Sequence, residues 1–272
     1  MNVDRVVLCM KWGTLYPADY VNVLFNACTR HLLRPFRFVC LTDDATGFLP
    51  GIEAMPIPDI GLAPDQWFLP GIWPKLAIYK AGLHGLRGRA LFIDLDMLVV
   101  GDLEALFDHG TGFVSTDMGP AWENPPRKGP GQVATSIFAY DLGTETQILD
   151  AFLADPPGAL ARFQNEQDFV GAHARSMAFF PPGWVLSFKR HLRRAVGLDL
   201  LLPPMEPPAS ARVLAFHGKP RPADLLHARA GFWDTFPHLG HGQVRWMAEY
   251  WVRNGGTIPG AKLNRRATGN ER

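Results

Sequence analysis

Ala90-Leu91-Phe92-Ile93-Asp94-Leu95-Asp96-Met97-Leu98-Val99-Val100 is the stretch whose reading decides the fold. Two aspartates one residue apart interrupt an apolar run bounded by Arg87-Gly88-Arg89 and Gly101-Asp102. Apart from those two acids, a run of this length reads as a strand buried on both faces, as in mostly parallel sheets. An ionised carboxylate in such surroundings is costly unless it is paired or holds a cation. The pair therefore predicts the open end of the strand and a metal. Along an extended chain the side-chain period is two, so Asp94 and Asp96 are expected on one side and Leu95 on the other. So placed, they suit one hard divalent cation with oxygen ligands, Mn²⁺ or Mg²⁺. The plainer alternative is a strand end at which one Asp caps a following helix and the other is solvated.

Upstream the apolar pattern changes period twice. Residues 5–10 read as a buried strand that delivers Lys11-Trp12-Gly13 at its end. From Pro17 the positions Val21, Leu24, Phe25, Cys28 and Leu32 keep helical spacing, and Pro suits a helix's first turn. Residues 36–41 return to strand character and close on Thr42-Asp43-Asp44. Strand, helix and strand at this spacing form a βαβ unit, and such units build parallel sheets with ligands at the strands' carboxyl ends. Lys11, Trp12, Asp43, Asp44, Asp94 and Asp96 all fall at such ends, which predicts one shared site. The fold class is α/β, a single domain with a mostly parallel mixed central sheet flanked by helices.

Downstream, residues 52–57 read as a third strand and residues 58–74 as a Pro- and Gly-rich loop carrying Trp67, Phe68 and Trp73. Residues 73–79 open a helix expected to cover the sheet. Residues 102–107 form a short helix with an acidic first turn, residues 112–116 and 135–140 are strands, and residues 144–153 an amphipathic helix. Residues 118–132, rich in Pro and Gly without apolar periodicity, make a long loop of the kind that usually serves function. A helix starts at Asn165-Glu166-Gln167-Asp168 and runs to about residue 174. Beyond Trp184 the chain turns basic at Lys189, Arg190, Arg193 and Arg194. Residues 212–216 form a last strand that delivers His217-Gly218-Lys219-Pro220, and residues 241–252 a closing helix.

Composition excludes several classes. Of 272 residues, 27 are basic and 26 acidic, a net charge of +1, so nothing draws the chain as a whole to nucleic acid. Any anion site must be local. Cys9, Cys28 and Cys40 are odd in number, lack Cys-x-x-Cys spacing and lie among apolar residues, which reads as buried free thiols in a reducing compartment. The amino terminus carries no apolar stretch long enough for a signal or a membrane span. A cytoplasmic protein without a transmembrane segment is expected, with peripheral membrane contact left open.

An apolar strand with Asp94-Leu95-Asp96, followed more than a hundred residues later by a strand ending in His217-Gly218-Lys219-Pro220, resembles the glycosyltransferase family 8 pattern and its bacterial relatives. The resemblance implies a GT-A (Rossmann-like) fold, a nucleotide-sugar donor, a Mn²⁺ ion and retention of anomeric configuration. It divides residues 1–253 into a nucleotide-binding part to about residue 101 and an acceptor-side part after it. Residues 254–272 are left as a flexible basic tail. By position it implies that Asp94 bridges the metal and the donor's ribose or sugar, that Asp96 and His217 ligate the metal, and that Lys219 meets the diphosphate. Gln167-Asp168 resembles the family's site for the transferred sugar, and Lys75 resembles a Lys or Arg on the helix before the acidic strand. Where the family often has Asn-Ser-Gly, this chain has Ala134-Thr135-Ser136-Ile137, which points to a different hold on the sugar. Arg221 replaces a customary Trp and can add to phosphate binding.

The remaining candidates come from residue chemistry. Trp12 or Tyr16 offers a flat face to a base, and Asp43 can accept from a uracil ring N–H or a ribose hydroxyl. Their plain alternatives are a core aromatic and a turn former. The expected donor is a UDP-sugar and the expected acceptor a glycan or lipid-linked intermediate. Aromatic and basic residues of the loops at 118–132 and 181–194, among them Trp122, Trp184 and Arg193, are candidates for the acceptor. A haloacid-dehalogenase-like phosphatase also uses an Asp-x-Asp strand, but wants Thr or Val where Leu98 stands and normally begins with that strand. A non-catalytic nucleotide-sugar-binding protein is the other competitor. A sugar-1-phosphate nucleotidyltransferase would want a Gly-rich basic loop after the first strand, where Met10-Lys11-Trp12-Gly13-Thr14 has a single Gly.

Overall fold

A computed structural model describes residues 5–63, 65–227 and 231–258. Its strands are β1 (Arg5–Lys11), β2 (Arg37–Thr42), β3 (Ile52–Met55), β4 (Arg89–Ile93), β5 (Met97–Val99), β6 (Val114–Asp117), β7 (Val133–Asp141), β8 (Ala178–Phe179), β9 (Val185–Ser187) and β10 (Val213–Ala215). Its α-helices are α1 (Ala18–His31), α2 (Glu104–Asp108), α3 (Thr146–Ala154), α4 (Pro156–Arg162), α5 (Glu166–His173) and α6 (Arg245–Arg253). Seven strands form the central sheet in the order β3-β2-β1-β4-β7-β6-β8, and β5-β10-β9 form a second, smaller one. β3, β2, β1 and β4 run parallel, and β7 alone opposes its neighbours β4 and β6.

Alternation along the central strands feeds two cores. In β1, Val7 and Cys9 pack with α1 on one face while Val6, Leu8 and Met10 pack on the other. Leu91 and Ile93 join the first core, Ala90 and Phe92 the second. Both faces are dry, which is why these strands read as unbroken apolar runs. The second face is covered by the short 3₁₀ helix Trp73–Tyr79, all seven residues buried, where the sequence predicts the start of a longer helix. The three thiols are free and buried, as expected. The chain leaves β1 for β2 and β3 on one side, then returns to add β4 on the other. The carboxyl ends of β1 and β4 thus flank a topological switch point, where open α/β sheets leave a crevice.

The structure corrects the reading of residues 90–100 as one strand. β4 ends at Ile93, residues 94–96 turn with the Met97 N–H donating to the Asp94 carbonyl at 3.2 Å, and β5 departs to pair antiparallel with β10. Asp94 and Asp96 therefore do not share a side of an extended chain. Apolar alternation cannot register this break, because both halves of the run are buried, in two different sheets. β9 and α4 also went unforeseen. Residues 254–258, assigned to the tail by sequence, lie against α1: the Asn26 amide donates to the Asn254 carbonyl at 2.9 Å and the Thr257 N–H to Asp19 at 2.9 Å. The rest of the expected tail, 259–272, is outside the described residues. Among the described residues no helix is long and apolar enough to cross a membrane.

Glu104 at the start of α2 locks the far end of β1. One oxygen accepts from the backbone N–H groups of Leu33 and Arg34, each at 2.8 Å, and the other pairs with the buried Arg5 and, at 2.6 Å, with Arg34. Burial alone would raise this carboxyl, but the Arg34 N–H, the two guanidinium groups and the Leu33 N–H outweigh it and hold it down at about 2, against an ordinary 4.5. A depressed folded-state value stabilises fully above the unfolded one, so the contribution is complete above about pH 4.5 and fades as pH falls toward 2. Glu104→Ala should cost about 2–3 kcal/mol at neutral pH, since it leaves the buried Arg5 guanidinium with the exposed Asp108 as its remaining acidic partner. In urea unfolding, the gap between wild type and variant should shrink steadily below pH 4.5; a gap independent of pH would refute the role given to this carboxylate.

Candidate active site

The crevice at the switch point is a cleft of about 540 Å³. Lys11 and Trp12 enter it from the end of β1, Tyr16 from the turn before α1, Trp67 and Phe68 from the loop before the Trp73–Tyr79 helix. Asp94, Leu95 and Asp96 come from the turn after β4, Gly218 and Arg221 from the segment after β10. Gly71 lets the aromatic loop close down on α5: at φ 109° its carbonyl accepts from the Glu166 N–H at 2.8 Å, and a Cβ there would lie 3.1 Å from the Asn165 Cα. Ile72, beside it and lining the cleft, is held at φ 61°, which costs a β-branched residue about 1–2 kcal/mol.

Under the turn lies a buried ion cluster. Lys75, 4% exposed, points its ammonium at Asp94 Oδ2 (2.9 Å), Glu166 Oε1 (3.0 Å) and the Thr135 carbonyl (3.0 Å). Burial alone would push the Lys75 proton off; Asp94 and Glu166 outweigh it and hold the group above the ordinary lysine range. Burial pushes Asp94 and Glu166 up despite Lys75. Thr135 joins the parts, its hydroxyl on both Glu166 oxygens at 2.7 and 2.8 Å and its N–H on Gln167 Oε1 at 3.2 Å. This is the stretch where the sequence departs from the family's Asn-Ser-Gly. Here a threonine and a glutamate join β7 to the start of α5.

The turn sends the two aspartates to different partners. In step with Ala90 and Phe92, Asp94 faces Lys75, while Asp96 accepts from the Tyr16 hydroxyl at 3.0 Å on the other side of Leu95. Burial first, and then the charge of Asp94, push the Asp96 carboxyl up to about 7. Burial and Asp96 likewise raise Tyr16. Asp94 and Glu166 share one ammonium and Asp96 has only the Tyr16 hydroxyl, so carboxyl groups here are in excess of the cations beside them. That excess fits a divalent cation at Asp94 and Asp96.

His217 fits less directly. Its strand lies against the turn, with the Phe216 N–H on the Asp96 carbonyl at 3.2 Å, but its ring is turned to the Ser187 hydroxyl at 2.8 Å from Nε2. Partial burial and the charges of Lys189, Arg190 and Arg193 push it down to about 4, so it is neutral and able to ligate at neutral pH. Among the described residues no three acidic, His or Cys side chains are gathered for one ion.

The other candidates divide between the cleft and its surroundings. Lys11 Nζ reaches the Asp44 carbonyl at 3.2 Å, and the Trp12 indole donates to the Trp67 carbonyl at 3.3 Å; both line the cleft. Asp43 does not line it, and accepts from the Gly13 N–H at 2.8 Å, tying the end of β2 to the turn after β1. Arg221 lies over the Tyr16 ring at 5.8 Å. Lys219 is exposed beside the cleft-lining Gly218. Gln167 is half-buried at Thr135, and Asp168 is exposed with its N–H on the Asn165 cap at 2.8 Å. Sequence reasoning named Glu166 only as part of a helix start and gave it no role in the site. Its signal was spacing: Glu166, Phe169 and Val170 share one face of α5, and the latter two are core.

No family model and no curated protein matches the chain. Solved structures share its fold. The glycosyltransferase GlyE of Streptococcus pneumoniae TIGR4 superposes with a TM-score of 0.55 at 13% identity, over 92% of this chain and 63% of its own. An active-site mutant of LgtC gives 0.57 at 12% identity, over 95% of this chain and 98% of its own. The bifunctional glycosyltransferase WbbM gives 0.55 at 12% identity, and this chain spans 50% of it. The galactosyltransferase LgtC is also known in complex with donor and acceptor sugar analogs. The architecture of this chain is GT-A, as the two motifs imply.

The ion cluster makes a stability prediction. Lys75→Met should cost roughly 3–5 kcal/mol, the range for removing one partner of a buried pair. Glu166→Gln in the same chain should recover part of it by removing one orphaned charge. Urea unfolding of both variants checks this; a loss within the roughly 0–1 kcal/mol of a surface pair would show the cluster to be solvated.

Proposed function

We propose that this GT-A chain is a metal-dependent glycosyltransferase that moves a sugar from a UDP-sugar to a glycan or lipid-linked acceptor, with retention at the anomeric carbon. The observation that carries the reading is the pair Asp94 and Asp96 in an aromatic-walled cleft at the switch point, with Asp96 pushed up to about 7 by burial and by the charge of Asp94. The fold shared with glycosyltransferases, one solved with donor and acceptor sugar analogs, supports it. The phosphatase alternative is weakened because its acidic strand would begin the fold, whereas β4 follows three strands and Asp94 is engaged by Lys75.

In this reading Trp12 and Tyr16 present flat faces to the base. Gln167 and Asp168, above the Lys75–Glu166 pair, meet the transferred sugar. Lys219 and Arg221 meet the diphosphate through charge-assisted hydrogen bonds. Asp94 and Asp96, with His217 nearby, would hold a divalent cation, which would supply positive charge where the leaving diphosphate becomes negative. The acceptor oxygen bonds to the anomeric carbon on the face the diphosphate leaves. The carbon–oxygen bond to the diphosphate breaks with its electron pair going to the nucleotide, and the hydroxyl proton passes to the departing phosphate oxygen.

Two measurements check this. UDP should raise the melting temperature only with Mn²⁺ present, and Asp96→Asn should abolish hydrolysis of the UDP-sugar that gives the largest shift while leaving the fold intact; full activity of the variant, or of wild type in excess chelator, would refute the metal site. Lys219→Ala should weaken UDP binding by roughly 1.5–3 kcal/mol, the range for a hydrogen bond to a charged group. Unchanged affinity by calorimetry would remove Lys219 from the site.

A further inference from the structure

Three cations carried by one turn stand outside the wall of the donor cleft. The turn Phe188–Leu192 follows β9 and is fixed from below, Phe188 stacking on Phe216 at 4.7 Å. It is fixed at its start by Ser187, whose hydroxyl accepts from the Arg190 N–H at 3.2 Å. The Arg190 guanidinium lies over the Trp122 ring at 5.1 Å, and its Nη1 is buried without a hydrogen-bond partner. Lys189 Nζ comes within 3.6 Å of where a Cβ on Gly218 would stand. Arg193 is paired with the buried Asp234.

Among the described residues no carboxylate is paired with the other two, and Lys189 feels Asp234 only through its charge. Asp234 is taken by Arg193, and Glu123, whose carboxylate feels the Arg190 charge, is bound by Arg127 at 2.5 Å. Among the described residues, neither Lys189 nor Arg190 has an ion-pair partner. Like charges gathered on a rigid, partly buried turn repel unless an anion is drawn between them. Neither residue lines the donor cleft, whereas Gly218 does. Gly218, at φ 71°, has no side chain to stand between the cleft that it lines and the Lys189 ammonium.

We propose that Lys189 and Arg190 form a second oxyanion site, which takes a phosphate or carboxylate carried by the acceptor and is separate from the groups that hold the donor's diphosphate. The assignment to an acceptor rests on the transferase reading above. Arg190 gives a fixed donor fork backed by Trp122, and Lys189 a mobile ammonium at the cleft's edge, a combination suited to a tetrahedral or planar oxyanion. Arg193 is held by Asp234 and contributes its field alone. The loop with Trp122, which the sequence marks for the acceptor, forms one wall of this site.

The experiment titrates glucose 6-phosphate and glucose by calorimetry into wild-type protein, free and saturated with UDP and Mn²⁺, and into Lys189→Ala/Arg190→Ala. Wild type should bind the phosphate ester at least tenfold more tightly than glucose in both states. The double variant should lose that preference and keep its UDP affinity within twofold. Lys189→Gln, which leaves Arg190 on Trp122, should lose part of the preference and guards against a packing artefact. Equal binding of the two sugars by wild type, or loss of UDP affinity in the variants, would overturn the proposal, the latter by giving these cations to the donor. Absence of UDP binding in wild type would instead overturn the transferase reading, and the free-protein titration would still decide the oxyanion site.

Discussion

The Lys75 ammonium, 4% exposed and within 3.0 Å of Asp94, Glu166 and the Thr135 carbonyl, is the interaction on which the site depends. It draws together the Trp73–Tyr79 helix, the end of β4, the middle of β7 and the start of α5, segments that are far apart in sequence. A buried charge of this kind tolerates little misplacement, because each partner removed leaves another uncompensated. Two acids against one ammonium still leave negative charge in excess, and Asp96 adds to it from the far side of the turn. Acidic groups thus outnumber the ammonium beside them at this end of the cleft, an imbalance that the proposed cation would offset.

Around that charge the walls are apolar and shaped by backbone. The aromatic loop with Trp67 and Phe68 reaches α5 through Gly71, and Ile72 is held left-handed beside it. The second sheet, β5-β10-β9, brings the segment after β10 back over the turn, so the two motifs meet through the Phe216 N–H and the Asp96 carbonyl at 3.2 Å. The sequence separation of those motifs is a consequence of the small sheet: β5 leaves the central sheet at the acidic turn, and its antiparallel partner is the strand that ends at His217.

Periodicity made the first half of the fold legible. β1, α1, β2 and β3 follow from alternation, helical spacing and Pro17, and their order predicts the shared edge of strand ends at which Lys11, Trp12 and the two aspartates sit. It was silent where burial is uniform. The break at residues 94–96 lies inside an apolar run that is dry throughout, so no change of period marks the passage from one sheet to another. Glu166 hid among helix-end acids because dipole effects explain an acid there equally well, and only its register with Phe169 and Val170 tells it apart. Asp43 reads the same in sequence whether it meets a ligand or, as found, the Gly13 N–H. The orientation of His217 toward Ser187 is a rotamer choice that no spacing rule reaches.

The account's central claim is that Asp94 and Asp96, for all that they face different partners, close on one divalent cation when a nucleoside diphosphate enters the cleft. The most direct measurement is an anomalous difference map at the manganese edge from crystals grown with UDP and Mn²⁺. The account predicts a single strong peak between the Asp94 and Asp96 carboxylates, in contact with the diphosphate and with the His217 ring turned away from Ser187. A map with UDP in the cleft and no peak at those carboxylates would contradict it.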